Sequence, residues 1–203
     1  MTEPNYSHCS SIFRTFYMKM RVRGVARKVL ERAGRIDVLV NNAGQVLIGS
    51  SEETSMEEAK GLFETNFFGV LRMVQAVLPT MREQRSGRIV NISSVVGFLP
   101  APYMGIYAAS KHALEGYPES LGHEVRQFGI RISVVEPGFT RTGLDQNSQL
   151  VGQRMEAYAG ERDRAREAVR ASIARGEKPA RVASVVSEAL QSRSPRRRYP
   201  AGP

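Results

Sequence analysis

Three short apolar runs, over residues 36–40, 88–94 and 130–136, set the limits on what this chain can become. Each gives way to small or polar residues: Asn41-Asn42-Ala43-Gly44 after the first, Ser93-Ser94 within the end of the second, Pro137-Gly138 after the third. Runs of this length, rich in Val and Ile, read as strands of a largely buried parallel sheet. Helical patterns separate them. From about residue 56 to 84, Leu62, Phe63, Phe67, Val70, Leu71, Val74, Val77 and Leu78 fall near helical spacing. Thr54 or Ser55 can cap that helix, with Glu57 and Glu58 in its first turn. Further helices are predicted over about 20–33, 103–127 and 179–191, with a charged helical region over 148–175. Strands joined by helices predict an α/β fold, a parallel sheet with flanking helices. Ligands in such sheets bind beyond the carboxyl ends of the strands. Asn41, Ser94 and Pro137 all fall at such ends, so three segments converge on one rim.

Tyr107 and Lys111 bring chemistry to that rim. Four residues apart, they share one helix face. A phenol normally ionises near pH ~10. A neighbouring ammonium favours the phenolate and lowers that value. Read alone, a Tyr-x-x-x-Lys pair is a weak signal, and a solvated helix face is the better reading of it. Asn66 is a second irregularity. It falls in the middle of a predicted helix, where asparagine is unfavourable, and a buried amide must be hydrogen-bonded. A local kink or a held water is the expectation there.

The stretch Tyr107-Ala108-Ala109-Ser110-Lys111-His112-Ala113-Leu114-Glu115-Gly116 resembles the active-site helix of the short-chain dehydrogenase/reductase family. The same family is resembled by Asn41-Asn42-Ala43-Gly44, by Asn66 in Glu64-Thr65-Asn66-Phe67-Phe68-Gly69, by Ser94 thirteen residues before the tyrosine, and by Pro137-Gly138. These motifs keep the family's order and spacing over roughly residues 25 to 145. The resemblance implies a Rossmann-like fold and an NAD(P)-dependent oxidoreductase interconverting an alcohol and a ketone or aldehyde. It implies Asn66, Ser94, Tyr107 and Lys111 as the catalytic set, with Asn66 holding a proton-relay water. It implies cofactor contacts from Asn41, Ala43, Gly44, Tyr107, Lys111, Pro137, Gly138, Thr140 and Thr142. An Asn-Gly turn without a ligand, and a polar loop at Thr140 and Thr142, would give the same local patterns. Glu115-Gly116-Tyr117 and the ending Arg196-Arg197-Arg198-Tyr199-Pro200 resemble members acting on lipid-like alcohols or ketones. NAD and NADP are not distinguished, because the residue that would select between them is missing.

Departures from the family are specific. The glycine-rich turn that receives a dinucleotide's pyrophosphate does not occur before Asn41, where Gly24 and Gly34 lack a preceding apolar strand and the required spacing. The expectation is an N-terminally truncated domain: residues 1–24 atypical, residues 25–203 a partial Rossmann-like unit. The strand at 36–40 would then be an open apolar edge. Pro118 and Gly122 interrupt the active-site helix beyond Lys111, and assembly as a homo-oligomer through that helix would be affected. The alternative expectation is a non-catalytic relative that cannot hold a cofactor, or a subunit completed by a partner.

Composition narrows the remaining classes. The chain of 203 residues carries a net charge of +9, from 29 basic and 20 acidic residues. Arginines interleaved with Glu and Asp, as over residues 161–167, read as a solvated helix rather than a nucleic-acid surface. No apolar run approaches the ~20 residues of a membrane span, so no stable membrane insertion is expected. Cys9 is the single cysteine, which suits a reducing, cytoplasmic setting. The three histidines are too scattered to suggest a metal site.

Overall fold

The computed structural model describes residues 22, 24–142 and 149–202. The atypical segment expected over residues 1–24 therefore lies outside the described residues, apart from 22 and 24. Helix α1 covers residues 24–33. It is followed by β1 (Val38–Asn41), β2 (Leu47–Ile48), α2 (Met56–Phe63), α3 (Gly69–Glu83), β3 (Gly87–Ile92) and α4 (Gly105–Val125). The chain continues through β4 (Ile130–Pro137), β5 (Gln149–Leu150), α5 (Ala159–Arg175), α6 (Pro179–Gln191) and β6 (Arg198–Ala201). One sheet has the order β1-β3-β4-β6, with every pair parallel. This is the expected Rossmann-like α/β architecture.

Apolar stripes decide which helix covers which face. Val70, Val74, Val77 and Met81 of α3 are buried with Leu114, Leu121 and Val125 of α4, against Leu39, Ile89 and Ile130 of the sheet. Val185 and Ala189 of α6 pack on Val90, Val135 and Tyr199 from the other side. Val74 and Met81 are fully buried, and truncating such a side chain to alanine typically costs ~2–5 kcal/mol for methionine. Gly129, at φ 74°, turns the chain from the end of α4 into β4. That left-handed backbone suits glycine, which has no Cβ to clash.

Several boundaries differ from the sequence expectation, each for a local reason. The long helix is interrupted by a π-helical turn, Glu64–Phe68, with Asn66 at its centre. The widened turn turns the asparagine amide inward. Ser55, rather than Thr54, caps α2, with Glu58 closing the capping box. Helix α4 runs on through Pro118. Residues 198–201 form a fourth strand despite Pro200, which is tolerable on the outermost strand.

At the opposite end of the sheet, among the described residues, β1 has one neighbour, β3. Val38 and Val40, two residues apart on one face, are 44% and 40% exposed, and Val25 and Val29 of α1 are exposed as well. The expected open apolar edge is present among the described residues.

Candidate active site

The carboxyl ends of β1, β3 and β4 open onto a cavity of about 780 Å³, lined by Gly44, Ser94, Tyr107, Lys111 and Gly138 among others. Each reaches it by a different route. Tyr107 lies in the first turn of α4, and Lys111 follows one turn later. Ser94 leaves β3 and caps a short 3-10 turn, Val95–Gly97, accepting the Val96 N–H at 3.4 Å. Its hydroxyl lies on the same cavity wall as Tyr107 and favours the phenolate there.

Tyr107 and Lys111 are each 6% exposed. Burial pushes the Tyr107 phenol up from its ordinary value, and the Ser94 hydroxyl pulls the other way. The lysine does not reverse that direction, although its Nζ lies 5.8 Å from the Tyr107 ring centroid. Lys111 is itself brought down to about 8, because burial disfavours the ammonium, while Glu115 one turn on opposes the shift. The ammonium donates to the Ile92 carbonyl at 3.0 Å, which fixes the head group beneath the end of β3.

Asn66 is fully buried and its amide is heavily engaged. Its Oδ1 accepts the Gln45 N–H at 2.8 Å, and its Nδ2 donates to the Gln45 carbonyl at 2.9 Å. Nδ2 also donates to the Ser110 hydroxyl at 3.0 Å, and that hydroxyl donates to the Tyr107 carbonyl at 2.7 Å. Asn66 thus fastens the loop after β1 to the first turn of α4. Ser110 was not singled out from the sequence, although its place between Tyr107 and Lys111 marks it as part of the same helix turn.

The loop after β1 divides its asparagines. Asn41 donates to the Asn91 Oδ1 at 2.8 Å and ties β1 to β3 inside the sheet. Asn42, Ala43 and Gly44 line the cavity. A Cβ on Gly44 would lie 3.6 Å from both Asn66 Oδ1 and Lys111 Nζ, so this backbone sits directly against the two polar groups. Pro137, Gly138, Thr140 and Thr142 line the same cavity from the end of β4.

A second polar group, absent from the sequence expectation, lies behind the lysine. Arg198 of β6 meets Glu115 at 3.1 Å, Glu119 at 3.0 Å and Glu136 at 3.4 Å. Burial, followed by the adjacent Glu115 carboxyl, pushes Glu136 above the usual carboxylate range, against the pull of Arg198. Across the cavity mouth, the buried pair Glu53 and Arg162 anchors α5, and Glu53 also accepts the Met155 N–H at 2.9 Å.

A parallel α/β sheet with a serine, a buried Tyr-x-x-x-Lys pair and a glycine-lined loop on one rim defines a dehydrogenase-like protein. The comparisons agree: the family model for short chain dehydrogenases matches residues 15–150, and the chain belongs to that family. It is 40% identical over 185 residues to 3-ketodihydrosphingosine reductase of Bacteroides thetaiotaomicron, spanning 90% of this chain and 68% of that protein. It is 53% identical over 105 residues to human retinol dehydrogenase 8, covering 52% of this chain and 34% of that one. A short chain dehydrogenase/reductase from Burkholderia phymatum, solved in complex with NAD, matches 90% of this chain and 66% of its own. That match has a TM-score of 0.77 and 31% identity. No helix among the described residues is long and apolar enough to cross a membrane.

Proposed function

We propose that this chain is an NAD(P)-dependent oxidoreductase that interconverts an alcohol and a ketone or aldehyde. The observation that carries the reading is that Ser94, buried Tyr107 and buried Lys111, one helical turn beyond the tyrosine, share the wall of a single cavity. Tyr107 exchanges a proton with the substrate oxygen. Ser94 hydrogen-bonds the same oxygen and steadies charge that develops there. Burial further favours the protonated phenol, the state that gives a proton to a carbonyl.

The nicotinamide half of a dinucleotide fits the residues present. Gly44 brings its backbone beside Lys111 and Asn66, at the distance of an ordinary contact, and Lys111 is placed to hold ribose hydroxyls. Gly138, Thr140 and Thr142 offer a polar loop on the opposite wall. When bound, the nicotinamide supplies or accepts the hydride. The family resemblance gives Asn66 a relay water serving the lysine; both of its amide N–H groups are given to Gln45 and Ser110, so that water would donate to its Oδ1. Apolar walls at Val46, Ile48, Val95, Val96 and Met104 suit a lipid-like substrate, in keeping with the names of the reductase and retinol dehydrogenase relatives. The single cysteine suits a cytoplasmic setting.

A second reading rests on one observation: no glycine-rich turn precedes β1 among the described residues. In that reading the site is inherited geometry that cannot hold a cofactor alone, or a partner completes it. Titration with NADH and with NADPH, following nicotinamide fluorescence and the thermal unfolding midpoint together, separates the two. Saturable binding with a raised midpoint supports the oxidoreductase. A folded protein that responds to neither favours the second reading.

A further inference from the structure

The cavity is unevenly charged. Among the described residues its lining contains three cationic side chains, Lys111, Arg166 and Arg170, and neither Asp nor Glu. Lys111 is committed to the Ile92 carbonyl. Arg166 and Arg170 have no hydrogen-bond or ion-pair partner among the described residues. Their helix neighbour Arg162, on the same face one turn earlier, is buried against Glu53. Helix α5 therefore uses one arginine of a four-residue series as its anchor and turns the next two to the cavity. Val169 and Ile173 line the cavity between and beyond them. Val169 also packs on the apolar cluster that holds Met104 and Tyr107, so this face of α5 is tied to the proposed reaction centre.

Unpaired guanidinium groups beside apolar walls form a recognition surface for an amphipathic molecule. The guanidinium fork matches a carboxylate or phosphate bidentately, and it is less strongly hydrated than an ammonium. Arg166 is half-buried and Arg170 exposed, so the attraction is the stronger at Arg166. We propose that Arg166 and Arg170 bind the anionic group of the substrate. The substrate is then an alcohol or ketone with an apolar body, a reacting oxygen at Ser94 and Tyr107, and a carboxylate or phosphate at its other end. The inference rests on the oxidoreductase reading for the position of the reacting oxygen. It goes beyond that reading in assigning the far end of the substrate a negative charge.

Equilibrium binding tests it without requiring turnover. The probes are a long-chain fatty acid bearing a methyl ketone at the end remote from its carboxylate, and the methyl ester of the same acid. Calorimetric titration of the full chain is expected to show the acid binding about ten-fold tighter than the ester, a difference that raised salt erodes. Arg166→Ala with Arg170→Ala is expected to abolish the difference and leave the ester's affinity and the unfolding midpoint unchanged. Arg166→Lys with Arg170→Lys is expected to restore part of it. Equal binding of acid and ester by the unmodified chain, or no binding of either, overturns the proposal. So does a double alanine variant that loses NADH or NADPH affinity while keeping its preference for the acid, because the arginines would then serve the cofactor's pyrophosphate. The oxidoreductase reading stands or falls separately, on cofactor titration and turnover.

Discussion

Asn66 donates its amide to the Ser110 hydroxyl at 3.0 Å, joining a π-helical turn to the helix that carries Tyr107 and Lys111. The same side chain makes both hydrogen bonds to the Gln45 backbone. Asn66→Ala removes three hydrogen bonds, one buried and two partly buried, and leaves their partners unsatisfied. Each such group costs ~1–3 kcal/mol. The variant is expected to lose about 3 kcal/mol or more of stability in urea unfolding, and turnover is expected to fall with it. A variant as stable as the parent would show that the clamp contributes nothing.

Lys111 gives the protein a stability profile that rises in alkali. Its folded value of about 8 lies below the ordinary lysine value of 10.5. The unfolded chain therefore binds more protons between those two values, and stability increases as pH rises through that window. Conversely, it is lost as pH falls toward 8. The full effect corresponds to roughly 3 kcal/mol at ~1.36 kcal/mol per pH unit. Urea unfolding between pH 8 and 10 is expected to show stability rising in the parent relative to Lys111→Met. Parallel profiles would contradict the burial assigned to this ammonium.

Arg198 holds two buried carboxyls together. Arg198→Ala leaves Glu115 and Glu136 side by side without their cation, and is expected to cost about 2 kcal/mol, allowing for the half-exposed arginine. Glu136 has its folded value raised, so its contribution to stability is full below its unfolded value and is lost as pH rises through the folded one. Glu136→Gln keeps the shape and removes the titration. Thermal unfolding across that interval is expected to decline more steeply for the parent than for Glu136→Gln. Identical slopes would mean that Glu136 has no raised proton affinity in the folded protein.

The Glu53–Arg162 pair fixes α5 over the cavity. Arg162→Met keeps the bulk of the side chain but leaves the Glu53 carboxylate without its cation. Looser docking of α5 is expected to raise KM several-fold with a smaller change in kcat, measured by steady-state kinetics. A change confined to kcat would place α5 outside substrate binding.

The features legible in the sequence were those with a strong local signature. Strands β1, β3 and β4 announced themselves by apolar runs, and Pro179 marked the first residue of α6. Asn66 was visible as an asparagine in a helical pattern, although its protein partners were not, since Gln45 and Ser110 come from other segments. Asn41 and Asn42 could not be divided from sequence, because neighbouring strand-end residues point to opposite faces and only the pairing with Asn91 decides between them. The inward face of α5 was unreadable for a different reason. The helix is strongly polar, and Val169 and Ile173 alone are too short an apolar stripe to tell Arg166 and Arg170 from the other arginines. Strand β6 was hidden by Pro200 and by the basic run before it, and its pairing rests on the long-range neighbour β4.

The central claim is that Tyr107 gives the proton that accompanies reduction. Nicotinamide absorbance measures this directly, with NADPH or NADH and a long-chain methyl ketone, for the parent chain and for Tyr107→Phe. Turnover by the parent is expected, with a loss of about 10²–10⁴-fold in kcat for the variant and the unfolding midpoint retained. Equal turnover by the two proteins, or none by a folded parent that binds cofactor and ketone, would contradict it.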